Sequence, residues 1–108
     1  MIYIRESKIQ GRGVFANKDI HKEELIEKIP YIEFNREDQI EEFKKYSFGL
    51  TNGKLCVMTS YSSFLNHSEE PNAVIKNNKN DEYLYLYSLR DIDKDEEITI
   101  CYSKDVKF

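Results

Sequence analysis

The first segment that could hold a ligand is the run 11–16, Gly-Arg-Gly-Val-Phe-Ala. Glycine allows the backbone to adopt a positive φ and to approach a ligand closely. A hairpin turn explains this run equally well when it is taken alone. The run is not the fingerprint of a dinucleotide-binding protein, because the third glycine and the following helix are missing.

The second segment is the run 64–72, Phe-Leu-Asn-His-Ser-Glu-Glu-Pro-Asn, which concentrates hydrogen-bonding side chains around one proline. Such groups can satisfy the backbone of an irregular loop, or they can bind a polar ligand. Asn66 and His67 are its candidate ligand-binding residues. We do not predict a metal site at His67, because no partner ligands stand at suitable spacing.

The third segment is the run 96–102, Glu-Glu-Ile-Thr-Ile-Cys-Tyr, an acidic turn followed by a short strand and Tyr102. A tyrosine hydroxyl can orient an amine, and its ring can form the wall of an apolar channel. The chain has eight tyrosines. Taken alone, Tyr102 is therefore more simply interpreted as a core residue.

The elements that must position these segments are mostly predicted to be short strands. Alternating or extended apolar runs predict strands at 2–4, 14–16, 25–32 and 83–87. A turn is expected at 11–13, and a hairpin over 50–57 around Asn52-Gly53. Pro30 favours an edge or a bend. The runs 19–26 and 91–98 resemble each other and predict two similar acidic turns, each leading into a strand.

One helix is predicted at about 36–48. Asn35 would cap it, and Gly49 would end it. Ile40, Phe43 and Tyr46 are spaced by three and would share one face.

Composition indicates one globular domain spanning 1–108, with 40% apolar residues. The net charge of −4 argues against direct nucleic-acid binding, which requires clustered cations. Cys56 and Cys101 are expected to be reduced core residues. No signal peptide or membrane-length apolar run is present, so we expect no membrane association and an intracellular, soluble protein, cytoplasmic or nuclear.

Taken together and in this order, the three segments resemble the SET domain family of protein lysine methyltransferases, over about Ile9 to Tyr102. The chain is most similar to the small viral and bacterial members without cysteine-rich flanking modules, so no metal is expected. The resemblance implies a mainly β fold: a β-clip of small curved sheets with a C-terminal pseudoknot and one short helical insertion. The stretch of about 36–58 would be a variable insertion that helps to form the substrate groove.

The resemblance also implies the site and its reaction. S-adenosylmethionine would be the methyl donor, and Tyr102 the catalytic residue. The donor pocket and the substrate channel would be built by residues from several segments: Arg12, Gly13, Asn66, His67 and Tyr61 for the donor, and Tyr61 and Phe108 for the channel. Glu23 and Asp95 occupy positions where the family usually has glycine, which predicts a cost in stability.

The implied substrate is a protein with an accessible lysine, such as a histone tail or another basic protein. Acidic side chains at Glu41, Glu42, Glu69 and Glu70 could favour a basic peptide, although a solvated acidic face explains them equally well. A homodimer is suggested by analogy with the small viral members. The alternative function is a catalytically silent module of the same fold that only binds a partner.

Overall fold

The computed structural model describes residues 1–78 and 81–102, in which nine strands form two sheets. The mainly β fold predicted from the sequence is confirmed. The strands are β1 (Ile2–Glu6), β2 (Arg12–Ala16), β3 (Leu25–Phe34), β4 (Ser47–Gly49), β5 (Leu55–Met58), β6 (Asn66–His67), β7 (Ala73–Asn77), β8 (Tyr83–Ser88) and β9 (Glu97–Ile100). No helix among the described residues is long and apolar enough to cross a membrane.

The first sheet has the strand order β1-β2-β9-β6 and brings the three candidate segments together. β2 pairs with β9 antiparallel, while the short β6 pairs with β9 in parallel. The C-terminal strand therefore lies between the hairpin that contains run 11–16 and the segment that contains run 64–72. This is the arrangement expected of the pseudoknot.

The turn predicted at 11–13 is shifted toward the N-terminus. Arg12 and Gly13 already belong to β2, and the turn is closed by the N–H of Ser7, which donates to the carbonyl of Gly11. Gly11 has a φ of 50°, which a residue without a Cβ adopts at low cost.

The second sheet has the strand order β4-β5-β3-β8-β7, and Pro30 lies within its central strand. β3 pairs with β8 from Leu25 to Pro30 and with β5 from Tyr31 to Phe34. Pro30 therefore lies where β3 changes partner, and its missing N–H removes little from either ladder. The predicted edge or bend at this proline is not found: Pro30 lies inside the central strand, at the point where that strand changes partner.

The predicted helix at 36–48 is wrong. The chain instead forms two short 3-10 helices, Arg36–Asp38 and Glu41–Tyr46, and Gly49 ends β4 rather than a helix. The backbone carbonyl of Asn35, not its side chain, accepts the first helical hydrogen bond. A spacing of three matches the three residues per turn of a 3-10 helix better than the 3.6 of an α-helix. The hairpin around Asn52-Gly53 forms as predicted between β4 and β5.

The two similar acidic turns pair with each other. Ile20 and Ile92 form an antiparallel bridge through two backbone hydrogen bonds of 2.8 Å, and both side chains are buried. Glu23 and Asp95 have φ values of 67° and 69°, as expected for positions that favour glycine. The core around this bridge also holds Cys56, and Cys101 is buried as well; neither cysteine forms a disulfide.

Candidate active site

A cavity of about 460 Å³ opens where the β1–β2 hairpin, the run 63–66 and the end of β9 meet. Its walls come from four places in the sequence: Glu6 with 10–12, then 45–46, then 63–66, and Tyr102. Ligand pockets for drug-sized molecules span roughly 300–1,000 Å³. Of the residues predicted from the sequence, Arg12, Asn66 and Tyr102 line this cavity together.

Asn66 joins the three segments through its side-chain amide. Its Nδ2 donates to the backbone carbonyls of Gln10 (3.1 Å) and Arg12 (3.3 Å) and to Glu97 Oε2 (2.9 Å). Because Nδ2 is already engaged, Asn66 can offer a ligand only its amide oxygen as an acceptor. The same contacts fix the backbone of the hairpin that forms one wall of the cavity.

Tyr102 is held on three sides. Its hydroxyl donates to the carbonyl of Leu65 (2.5 Å), and its ring packs edge-on against Phe48 and lies 5.1 Å from the ring of His67. Burial raises the pKa of the Tyr102 hydroxyl. The group therefore stays protonated at neutral pH. Because its proton points at Leu65, the lone pairs of its oxygen are free to accept a hydrogen bond.

His67 does not line the cavity and instead positions Tyr102. Its Nδ1 accepts a hydrogen bond from the backbone N–H of Tyr102 (3.0 Å), and its Nε2 lies 2.9 Å from Glu69 Oε1. In the neutral ring Nε2 therefore carries the proton and donates to Glu69. The structure thus gives His67 a role in orienting the end of β9.

His67, Glu69 and Cys101 form a group whose ligand atoms lie within 4.8 Å of one another and could in principle surround a metal ion. A histidine that binds a metal through one nitrogen usually donates the proton of the other. Here Nδ1 accepts a hydrogen bond from Tyr102 N–H. A metal on Nε2 would leave the ring without any proton, and a metal on Nδ1 would displace the Tyr102 bond. The hydrogen bonds of His67 therefore fit a positioning role better than metal binding.

Gly13 lies behind the cavity wall, not in it. A Cβ at this position would come 2.3 Å from Glu97 Oε2 and 3.1 Å from Asn66 Nδ2. Glu97 is fixed there by Ser7 Oγ, 2.7 Å from Oε1, and by Asn66. The absence of a side chain at Gly13 is thus needed to admit a carboxylate of the protein itself. Neighbouring Arg12 stacks its guanidinium 5.0 Å above the ring of Phe64.

Tyr61, another residue predicted from the sequence, is not brought into the cavity. Tyr61 begins a 3-10 helix (Tyr61–Phe64), is 54% exposed and does not line the cavity. Phe108 lies outside the described residues. Conversely, Lys45 and Tyr46 line the cavity, although the spacing of Ile40, Phe43 and Tyr46 predicts only that Tyr46 lies on a helix face. No local motif marks these two residues, because only the fold of the insertion brings them beside Tyr102.

A second cavity, of about 390 Å³, lies against the turn between β4 and β5. Three carboxylates, Glu33, Asp81 and Glu82, are among its lining residues. None of the residues predicted for the active site lies there.

Known proteins similar to this chain belong to one family of methyltransferases. A model of the SET domain family matches residues 11–103. A curated relative from Schizosaccharomyces pombe, a histone-lysine N-methyltransferase specific for H3 lysine-37, is 31% identical over 97% of this chain and 75% of its own length.

Solved structures of methyltransferases have the same fold as this chain. The crystal structure of a Plasmodium falciparum protein described as a candidate histone methyltransferase superposes with a TM-score of 0.82 at 33% identity, over 94% of this chain and 91% of that chain. Polycomb Repressive Complex 2 from Chaetomium thermophilum, solved with bound S-adenosylmethionine, matches with a TM-score of 0.80 at 20% identity. That match covers 99% of this chain but 16% of the longer one and supports the fold alone.

Proposed function

The chain belongs to the SET domain family and is a protein-lysine methyltransferase, and we propose that it transfers a methyl group from S-adenosylmethionine to a lysine of a basic protein. The observation that carries this proposal is the cavity in which Arg12, Asn66 and Tyr102 meet, although they are far apart in the sequence. The relative that acts on histone H3 makes a histone tail the first substrate to test.

The cavity fits a donor of this kind in size and in chemistry. Its volume lies within the range of pockets for drug-sized ligands. When bound, S-adenosylmethionine supplies an electrophilic methyl group on a positive sulfonium. Asn66 and Tyr102 line the cavity, and each has a side-chain oxygen that can accept a hydrogen bond, while Arg12 contributes one wall. Asn66 would also act by holding the carbonyls of Gln10 and Arg12 in place.

Tyr102 is proposed to orient the attacking amine. Lysine has an ordinary pKa of ~10.4 and must lose a proton before it can attack. Because the Tyr102 hydroxyl proton is committed to Leu65, its oxygen can accept a hydrogen bond from the amine and aim the nitrogen lone pair at the methyl carbon. Alignment of reactants can supply roughly 7–11 kcal/mol of a barrier, so no strong base is required. His67 and Phe48 would fix the ring that carries this hydroxyl.

Exposed carboxylates near the cavity are proposed to attract a basic substrate. Glu41 and Glu42 are exposed on the 3-10 helix that ends at Tyr46, a residue of the cavity wall. Glu69 has an 84% exposed side chain beside His67. Complementary surface charge of this kind mainly accelerates encounter and falls with salt. Reversing Glu41 and Glu42 to lysine should therefore raise the KM for a histone peptide at low ionic strength and have less effect at high ionic strength.

Calorimetric titration with S-adenosylmethionine tests the donor site without knowledge of the substrate. Wild-type protein should bind the donor saturably, and Asn66→Ala should bind it at least tenfold more weakly. Asn17→Ala, which removes an exposed amide remote from the cavity, is the matched control and should bind as the wild type does. A folded wild-type protein that does not bind the donor would favour a silent binding module instead.

A further inference from the structure

Lys45 lies in the wall of the active-site cavity and has no carboxylate partner among the described residues. It lines the cavity together with Tyr46 and Tyr102, and its Nζ lies 5.1 Å from the centre of the Tyr46 ring. Within residues 1–78 and 81–102, no carboxylate forms an ion pair with it. This is the geometry of a cation–π contact. Lys45 therefore brings a basic side chain to whatever occupies the cavity.

The other charges of the wall leave this cation available to a ligand. Among the described residues, the cavity is lined by one acidic side chain, Glu6, and two basic ones, Arg12 and Lys45, so this part of the lining has a net positive charge. The Arg12 guanidinium is stacked on Phe64. A net positive wall complements a ligand that carries a carboxylate. It does not complement the substrate lysine, which arrives as a cation.

A methyl acceptor is the other role that a lysine could have in this pocket. An acceptor must be neutral when it attacks, whereas Lys45 is exposed to water and faces an aromatic ring. The contact with the ring is a cation–π contact of an ammonium, and an ammonium has no lone pair with which to attack. A role in binding an anionic group fits these surroundings better than a role as the substrate.

We propose that Lys45 binds the carboxylate of the amino-acid half of the methyl donor and so selects donors that carry this group. This inference rests on the proposed function, because it requires the donor to occupy the cavity. It extends that function by assigning a specificity residue outside the three sequence motifs. It also predicts that S-adenosylhomocysteine, which keeps the carboxylate after methyl transfer, makes the same contact.

The contact between Lys45 and the carboxylate is tested by measuring the affinity of two ligands for three proteins. The proteins are the wild type, Lys45→Gln and the neighbouring Lys44→Gln, whose side chain is exposed and does not line the cavity. The ligands are S-adenosylhomocysteine and 5′-methylthioadenosine, which keeps the nucleoside and the thioether but lacks the amino-acid carboxylate. Hydrogen bonds to charged groups are the stronger class in proteins, so loss of this contact should be measurable by calorimetry.

Lys45→Gln should lower the affinity for S-adenosylhomocysteine about tenfold and change the affinity for 5′-methylthioadenosine less than twofold. Lys44→Gln should change neither affinity. Equal losses for both ligands would mean that Lys45 only shapes the pocket and would overturn the inference. An unchanged affinity for S-adenosylhomocysteine in Lys45→Gln would overturn it as well. A wild type that binds S-adenosylhomocysteine separates these outcomes from a failure of the donor site. A folded wild type that binds neither ligand refutes both proposals.

Discussion

Replacing Gly13 with alanine should disturb the candidate active site from behind its wall. The new Cβ would lie 2.3 Å from Glu97 Oε2 and 2.9 Å from Glu97 Cδ, so the carboxylate must move. Glu97 cannot move without losing its hydrogen bonds to Ser7 Oγ (2.7 Å) and Asn66 Nδ2 (2.9 Å). The substitution therefore acts on Asn66 although Gly13 does not line the cavity.

The magnitude follows from these two hydrogen bonds. Each bond to a charged group contributes about 1.5–3 kcal/mol. The displaced carboxylate is half-buried and can recover part of this from water. We therefore expect Gly13→Ala to lower the free energy of unfolding by about 2 kcal/mol. Since Asn66 loses one anchor, donor affinity should also fall, by about fivefold to tenfold.

A double-mutant cycle measured by urea unfolding separates this cause from a general intolerance of alanine at the position. In a Glu97→Ala background the new methyl group meets no carboxylate, so Gly13→Ala should then cost less than about 0.5 kcal/mol. The two single changes would thus be strongly non-additive. If alanine costs the same in both backgrounds, the contact between Gly13 and Glu97 does not explain the need for glycine.

Three further predictions concern the acidic turns. Glu23→Gly should raise the free energy of unfolding by about 0.5–1 kcal/mol, because glycine tolerates the φ of 67°. Asp95→Gly should raise the free energy of unfolding by less, because it also removes the 2.7 Å hydrogen bond that Asp95 accepts from Tyr3. A destabilised Glu23→Gly in thermal unfolding would contradict this reasoning. The pKa of Glu96 is lowered, because hydrogen bonds from Arg90 and the backbone outweigh the opposing effect of burial. The pKa of Glu96 is thus lower in the folded than in the unfolded protein. The ionised carboxylate therefore stabilises the fold at neutral pH, and this stabilisation is lost as the pH falls through the folded-state pKa. Glu96→Gln should destabilise by about 1 kcal/mol at pH 7 and by progressively less below about pH 4, and a pH-independent difference would contradict the assignment.

Much of the fold was predictable because its strands carry their own pattern. The strict alternation of run 83–87 predicts a strand with two unlike faces, and β8 buries Leu84 and Leu86 while the three tyrosines stay partly exposed. The Asn52-Gly53 turn predicts its hairpin for a similarly local reason, since Gly53 adopts a φ of 87°.

The helix prediction failed because a spacing of three does not distinguish the two helix types. Ile40 and Phe43 remain 49% and 52% exposed, so no buried stripe drives a longer helix. Without such burial, an α-helix of this length gains little stability. The segment instead leads directly into β4 and carries Lys45 and Tyr46 to the cavity.

The candidate site was predictable only in part, for reasons that lie in long-range contacts. Arg12, Asn66 and Tyr102 belong to segments whose composition already suggests chemistry. Gly13 was expected to approach a ligand but makes room for Glu97, a partner 84 positions away in the chain. Lys45 is recognisable only once the insertion is folded. Sequence patterns describe neighbours along the chain, whereas these roles depend on neighbours in space.

Whether Tyr102 orients a lysine for methyl transfer is tested by the rate at which wild type and Tyr102→Phe incorporate a labelled methyl group into a histone mixture. Donor affinity is measured in parallel by calorimetry. We expect wild-type protein to label a histone, and Tyr102→Phe to bind the donor within about threefold of wild type while losing at least tenfold in rate. A variant that keeps more than half of the wild-type rate would contradict the role of Tyr102. Absence of labelling by a wild type that binds the donor would contradict the proposed substrate class.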